Sequence, residues 1–155
     1  MTLDTLQDFL TAIDKAGELV RVKEPVRTRL EIAEIADRCM KSPGGGPALL
    51  FEHAVLDDGR KSEYPVTINL FGSMRRMGLA LGVDNLDQIG GRIAELLNLK
   101  VPEGLLGKLS MLPKLAEVAK FPPRIRSGKP SCQEVVWRGS DVDLDRIPFL
   151  TTWPG

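Results

Sequence analysis

The residues with the strongest claim to chemistry lie in two short runs, "GGG" at 44–46 and "GSMRR" at 72–76. Consecutive glycines leave backbone N–H groups free to cradle a phosphate. No GK[ST] follows, however, and no GxGxxG opens a helix, so neither nucleotide fingerprint is present. Pro43 and Pro47 flank Gly44, Gly45 and Gly46 and mark them as a helix-to-strand loop. Arg75 and Arg76 fall in the first turn of a predicted helix. Two guanidinium groups at a helix N-terminus suit an anion. The competing reading is one solvated arginine and one in a salt bridge.

The other candidates are weaker. His53 is the single histidine, at a strand end beside Glu52, with no serine, cysteine or metal-ligand neighbour in sequence to work with. "DVDLD", with Asp141, Asp143 and Asp145, resembles part of a calcium loop but lacks its glycine and terminal glutamate. Alternation places all three on one solvated face of a turn. Cys39 and Cys132 have no CxxC partner and read as buried thiols in a reducing compartment. Met74 and Met77 read as core-stripe residues. No His, Cys, Asp or Glu cluster has metal-ligand spacing.

Composition is that of a folded domain: 43% apolar and 27% charged residues in 155. Lys plus Arg and Asp plus Glu are 21 each, so net charge argues for neither nucleic acid nor an anionic membrane and does not oppose self-association. No apolar run approaches the roughly 20 residues of a membrane span, and the N-terminus lacks a basic, apolar leader. The expected compartment is the cytoplasm.

The elements that must position these residues follow from periodicity. Residues 3–16 form an amphipathic helix on Leu3, Leu6, Phe9, Leu10 and Ile13, with Thr2 as N-cap and Gly17 as C′. "ELVRVKEPV" is a short strand, with Val20 and Val22 on one face, ended by Pro25. Thr28 and Glu31 have capping-box spacing and open a helix that buries Ile32, Ile35, Ala36 and Cys39. "ALLFEHA" is a strand whose continuous apolar start implies burial on both faces. A polar hairpin-like loop turns at Asp58-Gly59, and "PVTINLF" alternates as a strand. Ser73 caps a short helix with Met74, Met77 and Leu81 inward. Asn85 and Gln88 suggest a further capping box, opening a stripe of Leu86, Ile89, Ile93 and Leu97. Residues 105–120 are helical, with Pro113 starting or kinking the second half. "FPPRIRSGKPS" is an irregular arm. "CQEVVWRG" is a strand, and "SDVDLDRIP" a turn with at most one helical turn. The fold class is α+β, a mixed β-sheet packed with helices. The expected core is Leu6, Leu10, Ile13, Ile32, Ile35, Ile68, Leu70, Ile89, Ile93 and Leu97.

Several collinear segments add a family resemblance. "GELVRV", "EIAEIADR" and "GGPALLFE" near the start resemble the opening of the UbiD family of decarboxylases. "VTINLFGSMRRMGLALGV" resembles that family's "NLFG--RR-ALG-G" segment. "PSCQEVVWRGSDVDLDRIPFLTTWPG" resembles its "CQEVV--G-DVDL--LP----WPGD" segment.

The resemblance implies an N-terminal domain, residues 1–120, followed by a linker and lead-in strand, residues 121–155. A split-barrel domain binding prenylated FMN, Mn2+ and a monovalent cation would follow. It implies a lyase, a non-oxidative (de)carboxylase of aromatic or α,β-unsaturated acids, one branch acting on polyprenyl-4-hydroxybenzoate in ubiquinone biosynthesis. The family's catalytic, cofactor and metal residues have no matching position here, so none is carried over. The 155 residues are expected to be an inactive fragment whose partners are the remainder of its own chain and copies of itself in a homo-oligomer. The tail from Phe121 is expected to be poorly ordered or docked on a neighbouring copy. A stand-alone assembly or anion-binding module, using Arg75, Arg76 and the glycine loop, is the alternative.

Overall fold

The computed structural model describes residues 3–98, 112–113, 116, 119, 122–123, 125 and 127–154. The chain divides into two units, Met1–Gly90 with Asp143–Gly155, and Gly91–Val142.

The first unit is built around one short strand. β3 (Ala48–Phe51) is buried along its whole length. It pairs in parallel with β1 (Leu19–Val22) and antiparallel with β5 (Val66–Ile68), giving a mixed sheet of order β1-β3-β5. Successive side chains of a strand point to opposite faces. Ala48 and Leu50 join Phe9, Leu10 and Ile13 of α1 (Leu6–Lys15) and Leu19. Leu49 and Phe51 join Ile32 and Ala36 of α2 (Glu31–Met40), with Val26, Ala54 and Val66. The unbroken apolar run "ALLF" is therefore the signature of a strand covered on both sides, as expected. A second, two-stranded parallel sheet joins β2 (Val26–Arg27) to β4 (Ala54–Val55).

Caps set the helix ends. Thr5 and Asp8 form a reciprocal capping box on α1, while Thr2, the expected cap, lies outside the described residues. Gly17 supplies the positive φ that ends the helix, as expected. The Thr28–Glu31 box does not form. The Thr28 hydroxyl donates to Val55 O, the Glu31 carboxylate accepts the Arg27 N–H, and α2 begins behind Leu30 with no side-chain cap. Thr28 is held instead as a buried continuation of β2 beside β4, its own N–H donating to Val55 O. The polar loop turns at Gly59 as expected, with Leu56 and Arg60 closing it.

Ser73 caps α3 (Met74–Leu81), its hydroxyl accepting the Arg76 N–H. The face of α3 is not the expected one. Arg76 and Gly78 are buried, while Met74 and Leu81 are exposed and Met77 is half-buried. Arg76 takes the inward position because its whole side chain is satisfied there.

α4 (Asp87–Leu97) starts with the Asn85 side chain accepting the Asp87 N–H, a local turn rather than the expected box. It buries none of its residues, and Ile93 and Leu97 are 52% and 81% exposed. Ile89 is half-buried.

The expected core is thus confirmed at Leu10, Ile13 and Ile32. Ile68 and Leu70 only flank the two clusters. Leu6 and Ile35 are exposed, because each sits at the rim of a helix stripe narrower than periodicity implies, and Val20 is exposed on β1, an edge strand of the sheet. The helical segment expected at 105–120 falls almost wholly outside the described residues.

In the second unit "CQEVVWRG" is not a strand. After Pro130 the chain makes a single 3-10 turn, Ser131–Gln133, followed by bends, with Val135 and Val136 exposed. β-forming residues need a strand to pair with, and among the described residues none lies alongside. "SDVDLDRIP" makes two such turns rather than at most one, Gly139–Asp141 and Leu144–Arg146.

The last thirteen residues return to the first unit within the same chain. Thr151 bridges Arg29 in parallel, Leu150 packs against the α2 cluster, and Arg146 pairs with Glu63 at 3.0 Å. This segment docks on its own chain, where the tail was expected to be poorly ordered or docked on a neighbouring copy.

Candidate functional site

The two candidate anion-binding runs come together. Asn69, directly after β5, has φ 59°, which turns its side chain to donate from Nδ2 to Gly45 O at 2.8 Å and Pro47 O at 2.9 Å. Gly45, at φ 85°, packs so closely on Gly72 that a Cβ there would collide with the Gly72 carbonyl. The glycine loop is therefore pressed against "NLFG" by close backbone contact at Gly45.

Beside it, Arg76 is 0% exposed and fully engaged. Its Nε donates to Leu70 O at 3.2 Å, one terminal nitrogen to Asn69 O at 3.1 Å, and the other to Glu18 Oε2 at 2.8 Å. Glu18 is the partner that sequence reasoning missed. It follows Gly17 at the start of β1, and its carboxylate also accepts from Arg75 at 3.0 Å and from the Ser73 hydroxyl at 3.3 Å. One carboxylate thus answers two guanidinium groups. The only sequence signal was the "GEL" run just before β1. Of the two expected outcomes for the arginines, the salt bridge holds for both, and Arg75 stays largely solvent-exposed beside Glu18.

A buried charge is tolerated only when paired and hydrogen-bonded. With one guanidinium closed in and the other on the same carboxylate, the cluster does not fit the phosphate of a flavin nucleotide. It is a staple joining the start of β1, the end of β5, the N-terminus of α3 and, through Asn69, the glycine loop.

The remaining candidates are dispersed. His53 lies in the turn between β3 and β4, where its backbone carbonyl accepts the Val26 N–H and its buried Nδ1 has no partner. Asp143 caps its own turn through the Asp145 N–H. Among the described residues no group of three or more His, Cys, Asp or Glu side chains is placed to hold a metal ion. The described residues thus do not fit the cofactor and metal that the resemblance implies. Cys39 is half-buried with Sγ against Pro47 O, and Cys132 is exposed rather than buried, because its segment forms no strand. Arg60 holds the Asp58 carboxyl below its ordinary range, chiefly through its backbone N–H and then through its guanidinium. Arg21 is raised by hydrogen bonds to Asp14 and Glu52. Both are surface pairs. No described helix is long and apolar enough to cross a membrane.

The profile of the 3-octaprenyl-4-hydroxybenzoate carboxy-lyase N-terminal domain matches residues 10–96, more than half of the chain. The chain therefore belongs to the UbiD family, through its N-terminal domain. Among solved structures it is similar to the vanillic acid decarboxylase of Sedimentibacter hydroxybenzoicus. In the open form with truncated ShVdcD, identity is 27% and the TM-score 0.52. The closed form gives the same identity and TM-score. In both, the match covers 66% of this chain and 21% of the matched one, so this chain spans about one fifth of that relative chain's length. The α+β fold, a mixed sheet packed with helices, is that of the family's N-terminal domain.

Proposed function

We propose that this chain is the N-terminal, non-catalytic domain of a carboxy-lyase that removes CO2 from an aromatic or α,β-unsaturated acid, or adds it, without net oxidation. Prenylated FMN, Mn2+ and a monovalent cation are held by the rest of that enzyme, which assembles from several copies. The observation that carries the reading is the match across residues 10–96 together with 27% identity to a decarboxylase of an aromatic acid. Vanillate-like acids and polyprenyl-4-hydroxybenzoate are the two substrate types this similarity brings forward.

The domain's own contribution is rigidity. The Glu18–Arg76 staple and the glycine loop fix α3 and the start of β1, which gives the rest of the enzyme a preformed face to build on.

The test has two arms. The purified chain, supplied with prenylated FMN, Mn2+ and K+, should release no CO2 from vanillate, 4-hydroxybenzoate or cinnamate. Turnover there would overturn the non-catalytic assignment. An enzyme carrying this domain fused to the remainder of a family member should decarboxylate at least one acid of that set. Inactivity on all, with flavin bound, would overturn the carboxy-lyase reading.

A further inference from the structure

One strained residue of the first unit sits where the tail meets it. Leu30 has φ 67° and ψ −36°, outside the left-handed well that non-glycine residues sometimes visit. Such a conformation persists only where the surroundings over-determine it. Here the surroundings are a local turn, in which the Glu31 N–H donates to Arg29 O at 2.8 Å across Leu30, and the tail. The Leu30 N–H donates to Thr151 O at 2.9 Å, and the Thr151 N–H donates to Thr28 O at 3.2 Å. Residues 28 and 30 are thus bracketed by a single residue of the returning chain, with Arg29 paired opposite it.

Thr28 cannot yield. It is 2% exposed, and both its N–H and its hydroxyl donate to Val55 O. The Leu30 carbonyl meanwhile accepts the Glu34 N–H at 2.8 Å at the start of α2. Leu30 also lines an apolar cleft of about 440 Å3 with Val26, Glu31, Glu34 and Ile35.

We propose that residues 149–152 form a strap whose docking at Thr151 holds Leu30 in its strained conformation, and so sets where α2 begins and how the cleft beside it is shaped. Undocking lets Leu30 relax to negative φ, which turns its carbonyl away from Glu34 and frays the first turn of α2. The strap also forms one wall of a second cavity, of about 410 Å3, through Phe149 and Thr151 opposite Leu56 and Asp57. The position of the tail is thereby read out at the N-terminus of a core helix. This device stands on the backbone geometry alone and does not depend on the decarboxylase reading.

Amide hydrogen exchange on the intact chain tests it, with the β3 amide of Leu50 as the control for global folding. Thr151→Pro removes the donor to Thr28 and should speed exchange at Glu34 by about tenfold or more while leaving Leu50 unchanged. Unchanged Glu34 exchange would overturn the proposal and leave the Glu31–Arg27 bond as what holds the turn. Leu30→Gly provides the arm that survives if Thr151→Pro misfolds. Strain that opposes docking disappears at glycine, so docking must tighten, and exchange at Thr151 should slow by about tenfold. Relief of strain outweighs glycine's added freedom in the undocked state. Faster or equal exchange at Thr151 in that variant would equally overturn the strap.

Discussion

Helices α2 and α4 are near twins as amphipathic segments, ten and eleven residues with comparable apolar stripes, and they meet opposite fates. α2 lies on the sheet and brings Ile32 and Ala36 against Leu49, Phe51 and Val66. α4 leaves Ile93, Leu96 and Leu97 exposed. A stripe at helical spacing states that a helix has one face that avoids water. It does not state that anything in the described chain covers that face. Burial, not periodicity, converts the stripe into stability, at about 1.5–3 kcal/mol for a fully buried large aliphatic side chain.

The sharpest way to break the comparison is to truncate both helices. Ile32→Ala should cost about 3–4 kcal/mol, since the side chain is completely enclosed. Denaturant unfolding would measure it, and a loss below about 1 kcal/mol would mean that α2 is not seated on the sheet.

The staple comes next. Glu18→Gln leaves the Arg76 guanidinium buried without its counter-charge and should cost about 3 kcal/mol, toward the low end for a broken buried pair because Glu18 keeps 19% side-chain exposure. Arg75→Gln, on the exposed arm of the same carboxylate, should cost about 1 kcal/mol or less in the same unfolding experiment. Equal losses in the two variants would show that Arg76 does not depend on Glu18.

Gly45→Ala should cost about 1–3 kcal/mol, from a positive φ and from collision with the Gly72 carbonyl. Gly44→Ala supplies the contrast, since it shares the positive φ but meets nothing within 4 Å. The difference between their melting temperatures isolates the close approach. Ile93→Ala on α4 completes the pair of helix truncations, with an expected change within about 0.5 kcal/mol.

The smallest effect is a surface titration. The Asp58 carboxyl is depressed by the Arg60 N–H and guanidinium, so its contribution is present above the ordinary carboxylate range and is lost as pH falls through the lower folded value. Stability of the parent and of Asp58→Asn should therefore converge at the acid end. A gap that widens there would reverse the sign.

By itself the sequence determined the parts whose signal is local. "ALLF" read as a doubly covered strand because continuous apolar residues satisfy both faces of a pleat. Gly17 and Ser73 marked helix ends because a positive φ and a short hydroxyl act within a turn of their own position. The collinear segments, read together, also placed the chain in its family. Only the tertiary structure decided what each polar residue was for. Thr28 and Glu31 had the spacing of a cap, but α2 begins behind Leu30, and Thr28 lies in the continuation of β2 with its hydroxyl donating to Val55 O. Arg76 looked like an anion ligand until Glu18, fifty-eight residues earlier, closed on it. Val135 and Val136 have β-forming side chains yet form no strand, because pairing needs a neighbour that local sequence cannot supply. A side chain's partner is chosen by what the fold brings within about 3 Å of it, and that distance is not written in spacing along the chain.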